Sequence, residues 1–160
     1  MAAVDYFLKI DGIQGESRDD RHKDEIDIES FSWGETQSGT FAAGGGGGAG
    51  KVSMQDFHFT LLVNKASPAL FLTCAQGDHI KNAKLTCRKA GNDQQEFLKI
   101  TMSDVLVSSF QIGGTGGVVP TNQISLNFAK IEVEYKEQDA TGKLVGSIKK
   151  WFDLKSMKGG

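Results

Sequence analysis

Through most of this chain apolar residues recur at every second position, the spacing of half-buried strands. Residues 5–12 (DYFLKIDG) begin an edge-like strand closed by glycine. Residues 14–25 (QGESRDDRHKDE) carry five acidic and three basic side chains without an apolar period, and read as a solvated charged loop. In 26–36 (IDIESFSWGET), Ile26 and Ile28 share one face while Phe31 and Trp33 share the other. That change of parity near Glu29–Ser30 predicts a bulge, or a strand that passes between two packing environments. Residues 52–64 (VSMQDFHFTLLVN) form a long strand with Phe57, Phe59, Leu61 and Val63 on one face.

One segment, SPALFLTCAQG at 67–77, carries helix signals. Ser67 is the expected N-cap, Pro68 suits the first turn and Gly77 suits the exit. Its apolar composition predicts packing against the sheets. Residues 83–89 and 96–112 read as a hairpin across the turn AGND at 90–93. The second of these strands is long enough to bend: Leu98, Ile100 and Met102 share one parity, Val105 and Val107 the other. Residues 123–137 repeat the device, with Ile124, Leu126 and Phe128 followed by Ile131, Val133 and Tyr135 on the opposite parity. Residues 144–152 supply a last strand, and the polar tail at 153–160 is expected to fray.

About seven strands, several of them bent, with one short helix predict a mainly-β fold. The expected architecture is a bent-strand β-barrel or two-sheet sandwich with one short flanking α-helix. No internal repeat or linker divides the chain, so residues 1–160 read as a single domain.

Composition sharpens this. Twenty glycines and two prolines among 160 residues suit many turns joining strands that keep their N–H donors. Eighteen basic residues against 20 acidic ones give a net charge of −2, which argues against binding nucleic acid through a basic field. No apolar run of about 18 residues is present, so no helix is expected to insert in a membrane. The N-terminal MAAVDYFLKIDG lacks a basic region followed by an apolar stretch, so no cleaved leader is expected. Cys74 and Cys87 stand outside any CxxC pattern and read as small buried hydrophobes.

Candidate chemistry is sparse. Gly45–Lys51 (GGGGAGK) nearly matches a phosphate loop, but Val52 stands where the magnesium-ligating hydroxyl belongs. A strand pattern rather than a helix follows, so no helix N-terminus would hold the anion. His22, His58 and His79 have no paired ligand spacing, and Asp19, Asp20 and Asp24 lack the spacing of a calcium loop. With no GxSxG and no catalytic cysteine context, no enzyme, cofactor or metal site is expected. Phe31, Trp33, Phe57 and Phe59 could serve a monomeric β-sandwich ligand-binding module as a stacking platform; at alternate strand positions they read as core.

Interaction surfaces are the stronger reading. If Phe31 and Trp33 face the core, Ser30 and Ser32 face away, and Thr101 and Ser103 likewise oppose Ile100 and Met102. A small, polar, unreactive face of that kind suits the wall of a wet passage. Near-zero net charge favours association because like-charge repulsion is weak. Five consecutive glycines lose much entropy if fixed, so a neighbouring surface would have to order them.

The residues DYFLKIDGIQGES at 5–17, IESFSWG at 28–34, SGTFAAGGGGGAGK at 38–51 and DFHFT at 56–60 resemble the Hcp family. So do AKLTCRKAG at 83–91, VLVSSFQIGG at 105–114 and ISLNFAKIEVEY at 124–135. These are the haemolysin-coregulated proteins, tube subunits of the bacterial type VI secretion system. The resemblance implies a β-barrel with a flanking helix, like the tail-tube proteins of contractile phages. It implies homohexameric rings that stack into a tube within a contractile sheath on a baseplate. A VgrG-type spike would tip the tube, and secreted effectors would travel in the channel. The subunit would be made in the cytoplasm and end in the extracellular space or a target cell. On this reading Ser30 and Ser32 line the channel and touch cargo. The loop Ala43, Gly44, Gly45, Gly46, Gly47 and Gly48, with Asn92 at the 90–93 turn, would carry contacts between stacked rings.

Overall fold

The computed structural model describes residues 4–39, 51–91 and 94–160. The described chain forms β1 (Val4–Ile10), β2 (Ile26–Asp27), β3 (Ser30–Ser32), β4 (Glu35–Gln37), β5 (Val52–Met54) and β6 (Phe57–Leu62). The helix α1 (Ala66–Gln76) follows, then β7 (Ile80–Lys89), β8 (Glu96–Gly113), β9 (Thr121–Gln138), β10 (Leu144–Asp153) and β11 (Lys158–Gly159). The mainly-β expectation with one helix holds, with more and shorter strands in its N-terminal half.

Pairing runs β11-β10-β9-β8-β7-β1-β2, all antiparallel. β9 is 18 residues long and serves two neighbours on one edge. Its first part pairs with β6, from Thr121 to Leu126, and its second part with β10, from Lys130 to Gln138. Both long strands change parity at the same level. Met102 lies opposite Ile131 and Val105 opposite Phe128, and all four are buried although the two levels are an odd three positions apart in each strand. Asp104 absorbs the turn in β8 with φ +53°.

The parity change read near Glu29 has its cause in a change of partner. Leu8 faces Ile26 across the β1–β2 ladder, and the Ile28 amide still donates to the Tyr6 carbonyl at 3.3 Å. The next amide, Glu29, donates instead to Thr60 at 2.8 Å, and β3 continues against β6 with Phe31 opposite Phe59. One short segment therefore joins β1 to β6, which in turn pairs with β9. The single strand expected at 26–36 is interrupted twice, and its last part, β4, leaves to pair with β5 in a separate two-stranded sheet.

The core gathers Leu8, Ile26, Phe57, Phe59, Leu61, Leu85, Met102, Ile124 and Leu126 from the sheet with Leu70 from α1. Helix α1 buries Ala66 and Leu70 but leaves Phe71 57% exposed, its ring edge against Phe110. Ser67 is not its N-cap. Lys65 occupies that position without a side-chain hydrogen bond, and Asn64 Oδ1 accepts from the Ala66 amide at 2.8 Å. The Ser67 hydroxyl is drawn instead to buried Asn122, donating to its Oδ1 at 2.6 Å. Gly77 ends the helix at φ +64°, a left-handed position that suits glycine.

Two loop expectations are corrected. The tail does not fray: the chain turns at 154–157 on Asp153 Oδ1, which accepts from the Lys155 amide at 2.8 Å, and β11 pairs back on β10. Trp151 and Gly160 then exchange backbone hydrogen bonds of 2.9 and 3.1 Å. Nor is 14–25 a fully solvated loop. Gly15 and Ser17 donate to the Asp24 and Glu25 carbonyls at 2.8 and 3.0 Å, and Ser17 and His22 are buried. A Cβ on Gly15 would strike the Glu25 backbone, so this close approach requires glycine.

Candidate functional site

One face of the β3–β6–β9–β8 sheet packs on the core, through Phe31, Phe59, Ile124 and Phe110. The opposite face is polar, because each of these strands alternates. Its residues align in rows across four strands. Ser30 faces Thr60, Thr60 faces Gln123 and Gln123 faces Gln111. In the next row Ser32 faces His58, His58 faces Ser125 and Ser125 faces Ser109. Ser30, Ser32, His58, Gln111 and Gln123 are exposed, and the rows floor a shallow depression of about 210 Å³.

Hydroxyls and amides bond to one another across this face. The Ser30 and Thr60 hydroxyls lie 2.6 Å apart. Ser125 meets the hydroxyls of Ser108 and Ser109 at 2.7 and 2.5 Å, where the β8 register shifts between Val107 and Ser109. Asp56 closes the lower end: its Oδ2 accepts from the Ser108 hydroxyl at 2.6 Å and its Oδ1 from the Asn127 amide at 2.9 Å. The arrangement offers many weak hydrogen-bonding groups and no activated nucleophile. It can hold water and make transient contacts.

Ser30 and Ser32 thus stand together on a polar sheet face. The other half of the sequence expectation, Thr101 and Ser103, lies elsewhere, in charged rows with Lys84 and Glu132 and with Lys130. Ala43, Gly44, Gly45, Gly46, Gly47, Gly48 and Asn92 lie outside the described residues. Sequence reasoning missed His58, Thr60, Gln111 and Gln123. The signal for the first two was present, since they alternate with Phe57, Phe59 and Leu61 as Ser30 and Ser32 alternate with Phe31. The register that joins them to the serines is not a local property.

A second cluster is buried and charged. Arg88 on β7 is 4% exposed and forks onto Asp19, with Nη1 donating to Oδ1 at 2.9 Å and Nη2 to Oδ2 at 2.7 Å. Asp5 Oδ2 lies 3.6 Å from Nη2. The guanidinium sits 4.7 Å above the Phe7 ring, and His22 stacks on that ring at 4.4 Å. His22 Nδ1 meets Glu25 at 2.9 Å, and its Nε2 lies 3.4 Å from Glu96. The Arg88 hydrogen bonds hold the Asp19 carboxyl down at about 2, against the opposing effect of burial. This cluster pins the 14–25 loop to β7 and β8. Cys87, beside it in sequence, is buried, and burial pushes its thiol up to about 11. Cys74 is only partly buried.

The histidines stand in three settings: His22 in this cluster, His58 on the polar face, and His79 on Asp104 at 2.9 Å. Among the described residues no three His, Cys, Asp or Glu side chains converge on a metal position. Among them also, no helix is long and apolar enough to cross a membrane.

Residues 7–135 match the sequence profile of a family described as type VI secretion system effector, Hcp. Protein Hcp1 of Pseudomonas aeruginosa is 48% identical over 142 residues, covering 88% of each chain. Hcp1 from Salmonella typhimurium superposes with a TM-score of 0.83 at 38% identity, over 99% of this chain and 100% of that one. A type six secretion system protein of known structure superposes with a TM-score of 0.92 at 31% identity, with the same coverage.

Proposed function

The chain belongs to the Hcp family of secreted type VI secretion proteins, and from that premise we propose that it is a structural subunit of the secretion tube, not an enzyme. Six copies form a ring whose channel is walled by the β3–β6–β9–β8 polar face. Rings stack through the Ala43–Gly48 segment, which joins β4 to β5, and through Asn92. The stacked tube sits inside the contractile sheath on the baseplate, carries a VgrG-type spike at its tip and conveys effectors in its channel. Contraction expels it from the cytoplasm.

The observation that carries this reading is the pair of polar rows across four strands, Ser30–Thr60–Gln123–Gln111 and Ser32–His58–Ser125–Ser109, on a sheet whose other face is core. A wall of this composition stays wet and grips cargo weakly, as delivery and release both require. A monomeric ligand-binding module fits less well. Its best aromatic residues are committed to the core and leave no stacking platform among the described residues of the polar face.

Light scattering on a sizing column with negative-stain imaging tests the ring. An open particle near six times 17.3 kDa is expected, and a monomer at every concentration overturns it. A Ser32→Cys variant tests the wall. In the intact ring the new thiol is expected to react with a small polar maleimide and to be shielded from one too large to enter the channel. Equal labelling by both reagents overturns the placement.

A further inference from the structure

Helix α1 is apolar on the side that turns away from the core. Its sequence, ASPALFLTCAQ, holds no charged residue. Ala66 and Leu70 are buried, yet Pro68, Phe71, Leu72 and Ala75 are exposed at the spacing of a second helical stripe. A surface helix turns charged side chains outward, and one that is apolar all round has neighbours on both sides. Among the described residues α1 has a neighbour on one side. β7 pairs with β8 as far as Val105, and past that point α1 packs on β8, with Phe71 edge-on to Phe110. A second apolar surface lies on the opposite flank. β9 carries β8 on one edge and β6 and β10 on the other, and the ends of β9 and β10 expose Tyr135, Val145 and Ile148. The exposed charges beside the two surfaces are opposite in sign. Asp78 follows the helix at Gly77, and Lys150 lies on the same side of β10 as Ile148. Among the described residues neither makes an ion pair.

We propose that the outward stripe of α1 docks on the β9–β10 overhang of the next copy; the proposal rests on the ring reading above. The two surfaces differ and lie on opposite flanks, so each copy offers one and receives the other. Such a contact is head-to-tail, and repeated around an axis it closes a ring. A second α1 is the poorer occupant, because a stripe packed on its own copy makes a two-fold contact that stops at a dimer. Leu72 is 50% exposed in the subunit, and covering it withdraws the rest of its apolar surface from water. The overhang gains in the same way at Ile148. An uncharged helix face meets an apolar sheet face, and the Asp78 and Lys150 charges stand at the margin, where opposite signs guide the approach.

The test places cysteines on both surfaces of the full chain in a Cys74→Ser background, since Cys74 lies on α1 and is only partly buried. Rings of the chain carrying both Leu72→Cys and Ile148→Cys are treated with a short bismaleimide and read on a denaturing gel. A ladder that ends at six copies is expected, and each single-cysteine variant should run as a monomer on the same gel. Leu72→Asp should keep its circular dichroism spectrum and scatter light as a monomer. Rings without a ladder overturn the docking and leave the ring standing. So does a dimer from Leu72→Cys alone, which would set α1 against α1, and so does a ladder past six copies, which would move the contact between stacked rings. A folded Leu72→Asp chain that still forms rings overturns the docking as well. A wild-type chain that is monomeric at every concentration overturns both readings.

Discussion

Arg88 and Asp19 lie 69 residues apart in the chain, and their fork is what fastens the charged 14–25 loop to the sheet. The Asp19 carboxyl titrates at about 2 when folded, below its ordinary 3.8. A lowered carboxyl contributes stability that is full above its unfolded value and is lost as pH falls through the folded one. The urea midpoint should therefore drop between pH 4 and pH 2, and Asp19→Asn should flatten that part of the profile. At pH 7 the same variant is expected to cost about 1–3 kcal/mol, because it leaves a buried guanidinium short of its partner. An unchanged acid limb in Asp19→Asn would assign the acid sensitivity to other carboxylates. Cys87 makes a second residue-scale case. Its raised thiol, about 11, and its burial predict no alkylation by iodoacetamide at pH 8 in the folded protein and complete reaction in urea, read by mass spectrometry. The sequence supports the reading of Cys87 as a small buried hydrophobe, since it lies in a strand outside any ligand or redox spacing and free cysteine is commonly buried. It could not show that Asp19, among three nearby aspartates, would be the one to leave water, because the choice depends on where β7 brings Arg88.

Alternation made the strands legible and even their bends. The parity changes in β8 and β9 and at Glu29 come from the core requirement itself, so they are written in the order of apolar side chains. Capping was read less well, because a cap depends on what else competes for the hydroxyl. Ser67 is in the right place to start α1, yet its hydroxyl donates to Asn122 Oδ1 at 2.6 Å and accepts from the Asn64 amide at 3.1 Å. Asn122 is fully buried and also donates to the Gln111 carbonyl at 3.1 Å, so the three residues tie the start of the helix to β9. Ser67→Ala should cost about 1–3 kcal/mol in urea unfolding, more than loss of a peptide-like cap of about 1, since it strands a buried acceptor. A cost within about 0.5 kcal/mol would mean that Asn122 finds another partner. The tail escaped prediction for a related reason. Its polar residues carry no apolar period, and its order comes from Asp153 and from pairing with Trp151 and Phe152 on β10.

At the scale of the whole molecule, the end of the sheet runs on past the core. β8 and β9 continue beyond buried Ile100 and Ile131 with β10 beside them, and the apolar side continues through Leu98, Tyr135 and Ile148, one across from the next. Tyr135 is 48% and Ile148 65% exposed, on a surface that none of the described residues covers. Contiguous exposed apolar side chains mark a surface made for a partner. A closing ring needs such a surface to meet a different one on the next copy. Rings and stacks should then fail separately. Deleting Gly45–Gly48 should leave rings intact and shorten tubes in negative stain; an unchanged distribution of tube lengths would remove that segment from the stacking contact. Ile148→Asp should do the reverse. Because Ile148 packs on little in the subunit, the substitution should leave the circular dichroism spectrum intact and move the unfolding free energy by no more than about 0.5 kcal/mol. In a ring interface the same carboxylate would be buried without a partner, and light scattering should report a monomer. A variant that folds and still forms rings would put the overhang outside the ring contact and leave its apolar face for the tube's other neighbours.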